Sequence, residues 1–164
     1  MEEKLKSLTE ILRKEISLYE RLLRLCRKEK AVVIKGDLRE LEKITREQET
    51  LFLELREWER ARGVVMENLK KLVPLSGKFS LSKLAKAVKE PFASQIESLQ
   101  KRAISLMKEI DQANKTNISL LSYSVKLIDE CLALLTETKE VPIYDQSGRS
   151  GRREQGRKLL DQKT

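Results

Sequence analysis

Cys26 and Cys131 are the only thiols in the chain, and they stand more than a hundred residues apart. Histidine, the commonest general base and the commonest metal ligand, is absent altogether. A zinc site or a CxxC redox centre needs closely spaced ligands, so neither metal nor thiol chemistry is indicated. In a reducing cytoplasm the two cysteines are expected to remain thiols, packed as small buried hydrophobes. The sequence holds no glycine loop of the kind that cradles phosphate, and no base, nucleophile pair or metal set can be assembled from its residues. It reads as a binding protein that needs no cofactor, and not as an enzyme.

The chemistry that remains is recognition, and it is concentrated late in the chain. Ile118, Leu121, Val125, Ile128, Leu132 and Leu135 alternate three and four apart, which places them on one face of a helix. They run one residue behind a second regular series: Phe92, Ile96, Leu99, Ala103, Leu106, Ile110, Ala113, Asn117, Leu120, Ser124, Leu127, Cys131 and Leu134. Before Asn117 the trailing series is mostly polar (Glu97, Gln100, Asp111, Asn114). After it, the apolar face roughly doubles in width. Asn117 occupies a seam position where an apolar residue is expected, a placement that often fixes register. Farther on, Tyr144 sits ahead of a turn-forming sequence in a polar segment, where a tyrosine is a candidate docking anchor.

These residues are positioned by helices. Apolar residues make up 40% of the chain and charged residues 37%, with six glycines and three prolines in 164 residues, the composition of long helices packed along narrow seams. The expected fold is all-α: an elongated antiparallel bundle of three long helices, about 3–33, 37–73 and 91–139, with a short connecting helix at about 81–89. Leu5, Leu8, Leu12, Tyr19, Leu22, Cys26 and Val33 form the first seam, interrupted by Glu15 and Glu29. Gly36 can close that helix, and Asp37 with Glu40 three residues on has the pattern of a capping box for the next. The second seam runs through Leu38, Leu41, Ile44, Gln48, Leu51, Leu55, Trp58, Arg62, Val65, Leu69 and Leu72, with Gly63 a local weakness of about 1 kcal/mol. Trp58 and Phe52 are assigned to the core. Pro74 to Pro91 should wrap one end of the bundle, anchored by Phe79 and Phe92. Residues 141–164 read as a flexible, disordered basic tail.

Helix lengths suggest where a partner binds. At 1.5 Å per residue the three helices rise about 46, 54 and 70 Å. A third helix starting level with the end of the second would overhang the hairpin, projecting Ile128, Cys131, Leu132, Leu134 and Leu135 as an apolar patch of the kind that marks a protein-binding site. The alternative is that the widened stripe faces both other helices, or is covered by residues 74–91.

Charge is less informative. The net charge is +8, from 34 basic and 26 acidic residues, of which residues 141–164 hold six and three. The rest is interspersed charge of both signs, the mark of a solvated helix surface, so nucleic acid is not an expected partner. No run of eighteen apolar residues exists and the amino terminus is charged. Stable membrane insertion is therefore not expected, and the chain should be cytoplasmic.

Three segments together resemble the FlgN-type flagellar export chaperones: the turn Gly36-Asp37-Leu38 before a Glu-rich helix, the run from Asn114 through Asn117 into Leu120-Leu121, and the tail Ile143-Tyr144-Asp145-Gln146-Ser147-Gly148-Arg149. The resemblance implies a type III secretion chaperone. Its cargo would be the hook-filament junction (hook-associated) proteins, held as a helix in a groove by Asn117, Leu121, Val125, Ile128, Leu132 and Leu135. Tyr144 would dock on the cytoplasmic domain of the export gate. The competing reading is a structural coiled-coil or nucleic-acid-binding helical protein that uses the basic tail (Arg149, Arg152, Arg153, Arg157, Lys158) on phosphates. Heptads this regular also allow pairing between chains as a homodimer.

Replacing both Leu132 and Leu135 with serine is expected to abolish partner binding while leaving the melting temperature nearly unchanged. A large loss of stability on thermal unfolding would instead assign these leucines to the core.

Overall fold

The computed structural model describes residues 1–73, 77 and 79–136, and for 134–136 the backbone helix alone. Every regular element among the described residues is an α-helix: α1 (Glu2–Lys35), α2 (Leu38–Lys70), α3 (Leu81–Ala87) and α4 (Phe92–Thr136). The tail from 141 onward, with Tyr144, lies outside the described residues. The chain divides into two compact units, Met1–Val125 and Lys126–Thr164. Of the second, the described part is the end of α4.

Local chemistry places the breaks. Gly36 adopts φ 71° and ψ 23°, a left-handed conformation that a side chain disfavours, and its N–H returns to the Val32 and Val33 carbonyls. Asp37 then caps α2, its Oδ1 accepting from the Glu40 N–H at 3.1 Å. Only half of the expected capping box forms: the Asp37 N–H donates to the Val32 carbonyl and the Glu40 carboxylate pairs with Lys28. At the far end of α2 both the Leu72 and Val73 N–H groups turn back onto the Leu69 carbonyl, so the helix stops at Lys70. Ser80 caps α3 by accepting from the Lys83 N–H. Glu90 caps α4, its Oε2 accepting from Ser94 N at 3.3 Å and Ser94 Oγ at 2.7 Å, a favourable place for a carboxylate.

Within the first unit two clusters form the core. One joins Leu5, Leu8 and Leu12 of α1 to Leu69 and Val73, to Leu84, Ala85 and Val88 of the α3 segment, and to Ile96 of α4. Phe79 and Phe92 pack against it, so the 79–92 segment closes the end where α1 begins and α2 finishes. The other cluster holds Leu18, Leu22, Cys26, Leu51 and Leu55, with Tyr19, Leu25, Trp58, Ile110 and Ala113 against it. Full burial of a leucine stabilises a fold by about 1.5–3 kcal/mol, and Leu8, Leu12, Leu51, Leu69, Leu84 and Leu106 are all fully buried.

Two core assignments are corrected by the structure. Phe52 is 50% exposed: it follows Leu51, so it lies about 100° around the helix from the face that meets α1. Cys131 is exposed while Cys26 is buried, because every side chain described from 126 to 133 is exposed. Trp58 is partly buried, as expected of a large ring at a seam edge.

The polar interruptions of the seams find one another. Glu15, 3% exposed at its side chain, lies with Oε1 3.0 Å from Arg62 Nε, an attraction made without a hydrogen bond of ordinary geometry. Fourteen residues along α1, Glu29 meets Gln48, which is fourteen residues back along α2 from Arg62. Burial holds the Glu15 carboxyl above the usual carboxylate range, the nearby Arg62 opposing the shift and Glu59 adding to it.

A folded-state value above the unfolded one means that the Glu15 contribution to stability is greatest at acid pH and is lost as pH rises through the folded value. Removing the compensating cation with Arg62→Met is therefore expected to cost about 3 kcal/mol in urea unfolding at pH 7. That deficit should shrink as the pH falls through the raised folded value and below about 4.3, where Glu15 becomes protonated in the unfolded chain as well. Replacing both partners by leucine should leave stability equal or higher; a double variant as weak as Arg62→Met would refute this account of the pair.

Candidate partner-binding face

α4 presents two neighbouring faces. The first meets α1: Ile96 and Leu106 are fully buried, and Ile110 and Ala113 pack against the second core cluster. Ion pairs flank this contact, Arg27 to Glu109 at 3.1 Å and Arg102 to Glu20 at 2.9 Å. At the top of this face Asn117 is 1% exposed. Its Nδ2 donates to the Cys26 carbonyl at 2.8 Å and to Glu29 Oε2 at 2.9 Å. The same Glu29 oxygen accepts from Gln48 Nε2 at 2.9 Å, and Gln48 Nε2 also lies 3.8 Å from Cys26 Sγ. One carboxylate thus ties three helices together. Burial, reinforced by the Glu29 charge, pushes the Cys26 thiol up, away from the reactive thiolate.

The second face is open. In the first unit Ile118 is 54% and Val125 57% exposed, and Leu121 is half-buried at the edge between the two faces. In the second unit Leu127, Ile128 and Leu132 are exposed; the Leu135 side chain lies outside the described residues. Of the expected contact residues, then, Val125, Ile128 and Leu132 have exposed side chains and Leu121 a half-buried one. Asn117 is turned the other way, inside the bundle. The segment 79–92 lies against the first core cluster and leaves Ile118 and Val125 uncovered.

Two exposed residues were missed in the sequence. Ile104 and Met107 are exposed apolar side chains of α4 and belong to the same series, since 104, 107, 111, 114, 118, 121 and 125 alternate three and four apart. The signal was present in that spacing and was masked by the charged residues around it.

Beside Asn117 a groove of about 450 Å³ opens between α1 and α4, lined by Leu23, Cys26, Arg27, Lys108, Ala113 and Thr116 among others. Its lining offers apolar contact and scattered charge, with no converging set of catalytic groups. Among the described residues no cluster of three His, Cys, Asp or Glu is placed to hold a metal, and no helix is long and apolar enough to cross a membrane.

No curated protein matches the chain. No solved structure matches it either. The sequence model of a family described as FlgN protein matches residues 1–151, which takes in the hairpin, the whole of α4 and the tail segment with Tyr144. With nearly the full length matched, the chain belongs to the FlgN family of flagellar export chaperones.

Proposed function

We propose that this chain is a cytoplasmic chaperone for hook-filament junction (hook-associated) proteins, holding a terminal amphipathic helix of its cargo on the open face of α4 and delivering it to the export gate. The observation that carries the proposal is the exposure of Ile118 and Val125 in the first unit, on a stretch of α4 whose adjacent face is buried at Asn117 and half-buried at Leu120 and Ser124; Ile128 and Leu132 of the second unit are exposed at the same spacing. An amphipathic cargo helix laid along such a series is covered by apolar contact at three-and-four spacing. That contact hides from water the same residues that would drive the cargo to self-associate.

The roles divide by residue. Leu121, Val125, Ile128, Leu132 and Leu135 make the contact, and Asn117 serves it indirectly by holding α4. Tyr144 docks on the cytoplasmic domain of the gate once cargo is bound; this role rests on the family tail segment. A second copy of the chain is the competing occupant of the α4 face. The six basic residues of 141–164 support a further reading, in which the tail binds nucleic acid. Phosphate-driven binding weakens steeply with salt, whereas apolar helix capture changes little.

Ile118→Ser combined with Val125→Ser is expected to weaken cargo binding by about 30- to 100-fold, the loss of about 2–3 kcal/mol of apolar contact. Because both side chains are exposed, the melting temperature should move little. Deleting residues 141–164 should spare cargo affinity and block export. Co-purification from the native cytoplasm decides between occupants: recovery of a hook-associated protein supports the chaperone, while a stable dimer without cargo, or salt-sensitive nucleic acid, would displace it.

A further inference from the structure

α1 and α4 run parallel in the first unit. Glu20 pairs with Arg102 and Arg27 with Glu109, each 82 residues apart in the chain, so a step along one helix matches an equal step along the other. Asn117 reaches Cys26 and Glu29, and six residues beyond those contacts Tyr123 comes level with positions 32–35 of α1.

The groove of about 450 Å³ lies between the two helices beside Asn117. Its cause is side-chain size, since Ala113 and Asn117 on α4 are too small to fill the space against Leu23 and Cys26. Leu23, Arg27 and Lys30 form the α1 wall, and their three-and-four spacing continues to Ile34. Glu109, Gln112 and Thr116 form the α4 wall, which continues at the same spacing through Ser119 to Tyr123. Ile34 is 66% and Tyr123 62% exposed. From Leu23 to Ile34 the trough is about 16 Å long. Two straight rows at helical spacing match the ridges of another helix laid between them.

Charge selects the kind of helix. Arg27 is committed to Glu109 at 3.1 Å. Lys30 and Lys108, on opposite walls, are exposed and make no ion pair among the described residues. Two ammonium groups astride an apolar floor match a helix that carries apolar side chains on one face and carboxylates on both flanks. A second copy of this chain, with its excess of basic residues, is a poorer match.

We infer that the groove between α1 and α4 is a docking site for an acidic amphipathic helix of a protein partner, which lies along them as an added helix of the bundle. Its apolar face covers Leu23, Ala113, Ile34 and Tyr123, and its carboxylates meet Lys30 and Lys108. The site is separate from the face proposed for cargo. Tyr123 and Val125 leave α4 about 160° apart, so both surfaces can be occupied at once, and the groove does not depend on what the outer face binds.

Fluorescence anisotropy with the full chain tests it. The probe is a labelled synthetic helix of about five turns, its leucines three and four apart and its flanks glutamate. The chain should bind this peptide, and bind the same peptide with lysine for glutamate about tenfold more weakly or worse. Lys30→Glu with Lys108→Glu should cost the acidic peptide about tenfold or more in affinity, as should Ile34→Ser with Tyr123→Ser. All four side chains are exposed, so the melting temperature should move little. Arg39→Glu with Arg56→Glu makes the same charge change on α2 and should leave the affinity as it was, and so should Ile118→Ser with Val125→Ser. The proposal is overturned if the acidic peptide does not bind, if the lysine peptide binds equally well, or if either of these last two pairs costs as much as the groove pairs. Two further results would also overturn it. A dimer of the chain that Lys30→Glu with Lys108→Glu dissolves would give the groove to a second copy, and salt-sensitive displacement of the peptide by single-stranded DNA would give it to nucleic acid.

Discussion

A polar group set into a seam of leucines has to meet its partner on whichever helix covers it, and in this chain that requirement aligns the bundle. α1 carries two buried or half-buried carboxylates, Glu15 and Glu29, fourteen residues apart. α2 carries Arg62 and Gln48 at the same separation, running the other way. An antiparallel pair of leucine seams tolerates a slip of one heptad with little loss, because leucine replaces leucine. Slipping this pair would leave Glu15 without its cation, at a cost of about 3–5 kcal/mol for an uncompensated buried charge. The apolar residues therefore supply most of the stability, and the polar ones choose the register.

The third long helix is placed by the same means. Glu29 accepts from α2 through Gln48 and from α4 through Asn117, so one carboxylate meets both of the other long helices, while Ile96, Leu106 and Ile110 bury the inward face of α4. A chaperone must display apolar residues without burying them itself, and the hydrophobic effect acts against such a display.

The two core clusters divide the labour further. Around Leu8, Leu69, Leu84 and Ile96 the chain closes on itself, with the 79–92 segment supplying the cover that α1 and α2 alone lack. Near Asn117 the packing thins to a groove, and the outward face of α4 carries exposed isoleucine and valine. The cover of the 79–92 segment lies at one end of the first unit, and Ile118 and Val125 lie away from it. Substitution of these exposed residues thus costs the fold little.

Much of this was legible in the residues themselves. The period of leucines along the chain, Gly36 with its need for a left-handed backbone, and the caps Asp37 and Ser80 specify where helices start and stop, since these are local matters of backbone sterics and hydrogen bonding. The segments around Gly36, Asn117 and Tyr144 carried the family. Periodicity also showed that α4 has two adjacent apolar stripes, but not which one is covered: Asn117 is buried as its seam position implies and not open as the cargo contact that the family resemblance implies, while Phe52 and Cys131, expected in the core, lie exposed. Nor did it show that the interruptions Glu15, Glu29, Gln48, Arg62 and Asn117 answer one another across three helices. The sequence by itself determined the helices, their breaks and the apolar face of each, because those depend on neighbours a few residues away. The pairing of polar groups and the choice of which apolar face stays open depend on residues up to 91 positions apart, and only the tertiary structure decided them.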